Sequence, residues 1–483
     1  MPDLVEGREA PIFAAVLAAG RGTRMRSNRA KVLHTLCGVP MVNYVISATR
    51  PLAPEKTLVV VGHQSEKVEA VLPKVTEPVL QREQRGTGDA VKVALDAIDE
   101  EEGTLLVVNG DGPLISDRTL SGLIRRHRTA GVGATLLVAD VPDPTGLGRV
   151  SEDAGVVRIV EDKDASEEEK GISLVNLGLY AFELSEIRDA LEETGTDNAG
   201  GELYLTDALE IIGRRSRAVT YVLENPEEAT LVNDRAQLAK AEEIISRQIL
   251  DSHMRNGVTV RDPNSTHIEA GVEIGRDTIV LPGSLLRGET VVGADCVIGP
   301  QSDIRDTVVE DGAAVEHSVS RGARVGAGAW VGPYSYLRAG TVLAAESKVG
   351  AYCEVKNTTV GPESKVPHLS YVGDAEIGRD VNLGAGTITA NYDGKNKSRT
   401  VIEDGVFTGV NTNLIAPIRV GRGAYLGAGS TANKDIPPGK LAVGAPARVI
   451  RDSPNSGNSQ TPESGRAKKN GPDGTPDEGS GEP

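Results

Sequence analysis

Aliphatic residues recur every six positions through the second half of this 483-residue chain. Ile274, Val280, Leu286, Val292, Ile298 and Ile304 keep that step, and after a one-residue slip Val325, Val331, Leu337, Leu343, Val349 and Val355 resume it. Glycine often follows, as in Ile274-Gly, Val292-Gly, Val325-Gly and Val349-Gly. Few folds tolerate such a period. Six residues make one flat face of a parallel β-helix, with the aliphatic side chain pointing inward and a tight turn after it. Aromatic residues are only 3% of the chain, so small aliphatics are left to fill a narrow prism.

The first half follows another rule. Apolar runs at 57–62, 105–109, 134–141, 156–161, 175–182 and 218–223 alternate with helical patterns at 88–98, 118–129 and 185–193, which predicts a mainly parallel, doubly wound sheet with helices on both faces. Ligands belong at the carboxyl ends of its strands. The first strand, 12–18, runs into Leu17-Ala18-Ala19-Gly20-Arg-Gly22-Thr-Arg24-Met25, with Lys31 shortly after. Gly20 and Gly22 allow a sharp turn with exposed N–H groups, while Arg24 and Lys31 supply the positive charge that a triphosphate and its departing pyrophosphate need. The run matches neither a Walker loop nor the G-x-G-x-x-G dinucleotide fingerprint, because Met25 stands at its last glycine. Residues 233–255 carry a helical stripe of Leu238, Ala241, Ile245 and Ile249, expected to be an arm between domains. The expected organisation is therefore α/β at 1–232, a linker helix at 233–255, an all-β parallel helix at 256–450 and a disordered Gly/Pro/Ser-rich tail at 451–483.

Charge narrows the function further. A formal net charge of −17 offers no basic excess to displace counterions from DNA or RNA. Three cysteines without C-x-x-C spacing indicate neither a disulfide framework nor a zinc site, and no apolar run has the length of a membrane span. The expectation is a cytoplasmic enzyme acting on small molecules.

Leu-Ala-Ala-Gly-x-Gly-Thr-Arg-Met followed by Lys31-Val-Leu-His34 resembles the signature of sugar-1-phosphate nucleotidyltransferases, and the hexads resemble those of acyltransferases. Taken together, residues 12–447 resemble one family: bifunctional enzymes that acetylate glucosamine-1-phosphate and then uridylylate the product to UDP-N-acetylglucosamine. The resemblance implies a left-handed β-helix, a homotrimer, Mg²⁺, and UTP and acetyl-CoA as co-substrates, in a pathway feeding peptidoglycan. It implies that Leu17, Ala18, Ala19, Gly20, Lys31, Gln81, Gly86 and Thr87 hold the nucleotide, and that Gly148, Glu161 and Asn176 hold the sugar. Asp111 and Asn233 become the magnesium pair; from the residues alone, Asp111 at a strand end suits a metal beside phosphate, with a cap on the next helical turn as the alternative. Arg24 and Lys31 are the catalytic cations.

In the second half, residues that break the hexads are the informative ones. Pro367-His368-Leu-Ser-Tyr371 interrupts the ladder, and Asn391-Tyr392-Asp-Gly-Lys-Asn-Lys397 inserts a polar loop. An amine must lose a proton to attack a thioester, and neutral imidazole suits that task near pH 7. The resemblance assigns His368 as this base, with Glu354 orienting nearby groups. It gives Arg338, Lys356, Tyr371 and Asn382 to glucosamine-1-phosphate, and Ala385, Asn391, Tyr392, Val410 and Ala428 to acetyl-CoA, with Lys397 reaching toward its phosphates. Several positions depart from the pattern: Ala30 replaces a usual Pro, implying a looser lysine loop, Val410 replaces a usual Ser, Ala445 a usual Arg and Leu177 a usual Thr or Ser, and Asn109 and Gly112 flank Asp111 where other residues are common. The competing readings are a single-activity sugar nucleotidyltransferase with a structural β-helix, and a non-catalytic binder of sugar nucleotides.

Overall fold

The computed structural model describes residues 10–153, 156–160, 162, 165–196 and 201–454. From 455 onward the expected tail lies outside the described residues, although the strand Arg448–Asp452 continues two residues past the expected boundary. By contacts the chain divides into two compact units, Met1–Val308 and Val309–Pro483.

The first unit is built on a twisted sheet in the order Ala218–Val222, Ala134–Asp140, Leu174–Glu183, Thr104–Asn109, Ile12–Leu17, Lys56–Val61, Glu77–Leu80. All neighbours are parallel except Leu174–Glu183, which runs against both of its partners. Its central strands read as continuous apolar runs because both faces are covered. Alternate side chains feed two cores: Phe13, Ala15, Leu58, Val60, Leu105 and Val107 pack on one face, and Val16, Val59, Val61, Leu106 and Val108 on the other. From Ile12–Leu17 the chain builds outward through Lys56–Val61 and Glu77–Leu80, then returns to Thr104–Asn109 on the opposite side. This reversal opens a crevice beyond Leu17 and Asn109, where a doubly wound sheet places its ligand.

The helix Arg235–Arg255 is capped by Asp234, which accepts from the Gln237 N–H at 2.8 Å. It buries Ala241, Ile244 and Ile245 against Met25, Leu36, Met41 and Leu114. The first parallel coils of the rod also lie in this unit, with Ile279 in register with Val297 and Leu286 with Ile304.

The second unit is parallel β-helix of the left-handed hexapeptide type up to Lys440–Val443, which pairs antiparallel with the strand Arg448–Asp452. Val331, Val349 and Val366 stack on one face, Leu337, Val355 and Val372 on the next, and Leu343, Val360 and Ile377 on the third, all of them buried. The register step is 16 to 18 residues per coil, and the phase slip in the sequence reflects short coils such as those from Val315 to Val331 and from Ser320 to Leu337. Interior corners carry Ser, Thr or Cys, whose side chains satisfy the turn: Ser318 Oγ accepts from the Ser335 N–H and Ser335 Oγ from the Cys353 N–H, each at 3.1 Å. One step is longer: Ile388 pairs with Asn413 and Ile377 with Ile402, which places the polar loop 391–399 as an insertion between coils.

Candidate active sites

The crevice of the first unit is a cleft of about 390 Å³ lined by Leu17, Ala18, Ala19, Gly20, Arg24, Lys31, Gln81, Gly86, Thr87, Asp111 and Asn233, among others. It thus gathers every nucleotide, cation and metal residue expected from the sequence. Gly22 has φ +63°, and a Cβ there would lie 2.5 Å from the Lys31 Cβ, so glycine is what lets the turn fold against the lysine. The Ala30 position is tighter than expected. Its backbone already has the φ of −54° that proline would impose, the residue is fully buried, and its N–H donates to Gln64 Oε1 at 3.2 Å, a bond proline cannot make.

Lys31 forms an ion pair with Asp111 and donates to Asn233 Oδ1 at 3.2 Å; Arg24 Nη2 donates to the same oxygen at 2.9 Å. Asp111 Oδ1 is buried and has no hydrogen-bond partner. A buried carboxylate oxygen left unsatisfied is costly, and one aimed into a cleft beside a second side-chain oxygen is the donor set a hard divalent cation takes. Asp111 can keep Lys31 on one oxygen and offer the other to such an ion, so the residues fit Mg²⁺. Gly86 sits at φ +117° with Leu203 O only 2.4 Å from any added Cβ, while Thr87 Oγ1 accepts from the Leu205 N–H at 3.1 Å. Gln81 is buried and donates its amide to Asp89 Oδ2 at 2.7 Å.

A second hollow adjoins the first, sharing Leu17, Thr87 and Asn109, and holds Gly148 and Asn176. Asn176 Nδ2 donates to the Tyr180 hydroxyl at 2.7 Å and its Oδ1 accepts from the Gly178 N–H at 3.0 Å. Between Asn176 and Tyr180 the register with Ala134–Asp140 shifts, and this bulge turns the strand into the cleft. Gly178 and Tyr180 were not singled out from the sequence, because a bulge leaves no periodic trace. Glu161 lies outside the described residues.

On the rod, one corner forms a vertical ladder. His368 O accepts from the Gly386 N–H at 3.1 Å, Ala385 O from the Asn411 N–H at 2.7 Å, and Val410 O from the Gly429 N–H at 2.8 Å. His368, Ala385, Val410 and Ala428 therefore descend the same edge, one coil at a time. Above His368 the left-handed corner residues are His317, Tyr334 and Tyr352, its own coil has Leu369, and below it they are Gly386, Asn411 and Gly429. The edge is bulky as far as His368 and bare beneath it. Arg338, Glu354 and Tyr371 share one face, with Glu354 in register with Tyr371 and accepting from Arg338 Nη1 at 2.8 Å. Asn382 is on another face, bridging Lys365 and Phe407.

Asp374 was not singled out from the sequence either. It accepts from Asn357 Nδ2 at 2.6 Å and from Asn391 Nδ2, tying two neighbouring coils to the inserted loop. Burial pushes its carboxyl upward, but those two bonds with the Lys356 and Lys397 charges outweigh it and hold it below the ordinary range. Asp393 Oδ1 accepts from the Lys395 and Asn396 N–H groups, so the loop that carries Asn391 and Tyr392 is internally braced.

Residues 14–155 match the family model of the MobA-like NTP transferase domain. The chain is 74% identical to the bifunctional protein GlmU of Rubrobacter xylanophilus over 93% of its own length and 96% of that protein. The chain belongs to the GlmU family. Identity to GlmU of Brevibacillus brevis is 47%, over 89% of this chain and 94% of that one, and to GlmU of a Geobacillus species 45%, over 91% and 97%. The family likeness thus spans both the nucleotide cleft and the rod. Among the described residues, no helix is long and apolar enough to cross a membrane.

Proposed function

We propose that this GlmU-family chain acetylates glucosamine-1-phosphate with acetyl-CoA and then transfers UMP from UTP to the N-acetylglucosamine-1-phosphate formed, releasing pyrophosphate, and that it does so in the cytoplasm for cell-envelope synthesis, peptidoglycan in particular. The observation that carries the uridylyl half is the convergence of Lys31, Arg24, Asp111 and Asn233 in one cleft. The sugar phosphate oxygen attacks the α-phosphorus of UTP in line, so positioning and charge stabilisation do the work and no protein nucleophile is needed. Lys31 offsets charge on the transferring group and Arg24 on the pyrophosphate. Asp111 and Asn233 would hold Mg²⁺, which supplies further neutralisation of phosphate charge. Gly148 and Asn176 line the adjoining hollow where the sugar would sit.

For acetyl transfer, His368 takes the proton from the sugar amine as it attacks the thioester carbon. Arg338 and Lys356 face the sugar phosphate, and Tyr371 and Asn382 complete its site. The bare edge below His368, through Ala385, Val410 and Ala428, suits a long, thin pantetheine arm. In a homotrimer the neighbouring chain would close this open edge, and faces that one chain keeps apart could meet across the interface.

The test is to assay both half-reactions on the intact protein and on Lys31→Ala and His368→Ala. Each variant should lose one activity and keep the other. Absence of acetyl transfer by the intact protein, with uridylyl transfer present, would replace this reading with the single-activity transferase.

A further inference from the structure

Cys37, Glu242 and His267 come from three separate elements of the first unit, and their donor atoms lie within 4.8 Å of one another. Cys37 opens the two-residue turn between the paired strands Thr35–Leu36 and Val39–Pro40. Its φ of 43° is left-handed, at a hairpin position that normally selects Asn, Asp or Gly. The backbone is pinned on both sides: the Cys37 N–H donates to Glu242 Oε1 at 3.3 Å, and Cys37 O accepts from the Ala270 N–H at 3.0 Å. Glu269 stands beside them, with Oε2 accepting from the Gly288 N–H at 2.7 Å and lying 2.7 Å from where a Gly38 Cβ would be.

The chemistry of this cluster is unbalanced. Burial, then the carboxylates of Glu242 and Glu269, push the Cys37 thiol up to about 12. Burial, then Cys37 and the same two carboxylates, raise the neighbouring Tyr44 phenol. The other two thiols differ: Cys353 and Cys296 occupy interior corners of the rod, where their N–H groups donate to Ser335 Oγ and Thr278 Oγ1. Cys37 instead faces an imidazole and two carboxylates.

We propose that Cys37, Glu242 and His267 form a site for a zinc-class divalent cation, with Glu269 or water as the fourth donor. Sulfur, imidazole nitrogen and carboxylate oxygen are the ligands such an ion takes, and at its bond lengths the donors stand about 3.5 Å apart, a contraction of at most roughly 1.3 Å from the present spread. A cation also reverses the local charge balance. The thiol proton leaves on binding, and the thiolate and carboxylates then neutralise the metal. His267 borders a cavity of about 340 Å³ shared with Glu243, Arg247 and Asp251, which gives the ion a path inward. The ligands are 37, 242 and 267 in the sequence, so no local Cys or His spacing announces them. This site is chemically distinct from Asp111 and Asn233, which offer only oxygen.

The experiment is cobalt(II) titration of the full chain, stripped with chelator, kept reduced and supplied with excess Mg²⁺ so that the oxygen-only site is filled. The expected result is a thiolate-to-cobalt charge-transfer band with intense visible bands of a four-coordinate site, both abolished by one equivalent of zinc. Cys37→Ser should lose the charge-transfer band, Cys353→Ser should keep it, and His267→Gln should need at least tenfold more cobalt. Zinc should raise the thermal unfolding midpoint of the intact chain and not that of Cys37→Ser. Failure to see the band, or its persistence in Cys37→Ser, overturns the proposal. Should Cys37→Ser fold poorly by circular dichroism, Glu242→Gln decides: an unchanged cobalt spectrum and affinity there overturns it equally.

Discussion

The two candidate sites are built by opposite means. In the first unit the sheet makes the cleft and loops at its strand ends fill it, so Gly20, Lys31, Gly86, Asp111 and Asn233 arrive from distant parts of the chain at one hollow. In the second unit the scaffold is a repeat, and chemistry is written onto its outside at corners and at one insertion. His368 and Asp374 sit on coils that keep the repeat, with Val349 in register with Val366 and Val355 with Val372, while the loop 391–399 is inserted between coils. A crevice depends on backbone geometry near its cations. A rod surface depends on side chains bracing one another across coils.

The crossed pair of His368→Ala and Lys31→Ala breaks this comparison most sharply. Loss of the base should lower acetyl transfer by about 10²–10⁴-fold and leave uridylyl transfer intact. Loss of the cation should lower uridylyl transfer by roughly 10²–10³-fold and leave acetyl transfer intact. Thiol release and pyrophosphate release, measured separately, read the two.

Next comes backbone against side chain. Gly22→Ala places a Cβ 2.5 Å from the Lys31 Cβ in a left-handed residue, so the turn must shift the lysine. Uridylyl transfer should fall by roughly 10- to 100-fold through kcat, since misplacing a reacting group by an ångström costs that much. Asp374→Asn removes the charge that Asn357 and Asn391 bind. Acetyl transfer should fall about tenfold, the worth of one or two charge-assisted bonds. A change confined to acetyl-CoA KM would show that Asp374 only positions the loop.

The smallest effect is on stability. His34 is buried, and desolvation, then Arg235 and Arg29, lower its proton affinity. A histidine depressed on folding costs nothing while it is neutral in both states, above about pH 6.5, and destabilises the fold as pH drops below that value because only the unfolded chain takes up the proton readily. The unfolding midpoint should therefore fall between about pH 6.5 and 5, and His34→Gln should flatten part of that slope. His253, lowered by burial alone, adds to the same trend and would remain.

Much of this was legible beforehand. The glycine loop is read because a strand end, a turn and two cations are consecutive, and the rod because its period repeats. Gly178 and Tyr180 were not read, since the bulge that carries them is a shift of register between strands rather than a pattern along one. Ala30 looked loose in the sequence. It is held by Gln64, which lies 34 residues away.

By itself, the sequence determined the period of the rod, the alternation of the sheet and the residue types available at each strand end and broken hexad, because these follow from local sterics and from which faces must be buried. Only the tertiary structure decided which carboxylate oxygen stays unsatisfied beside Lys31, which edge of the rod is bare beneath His368, and that Cys37, Glu242 and His267 share one corner. Those are relations between atoms far apart along the chain, and only folding sets their distances.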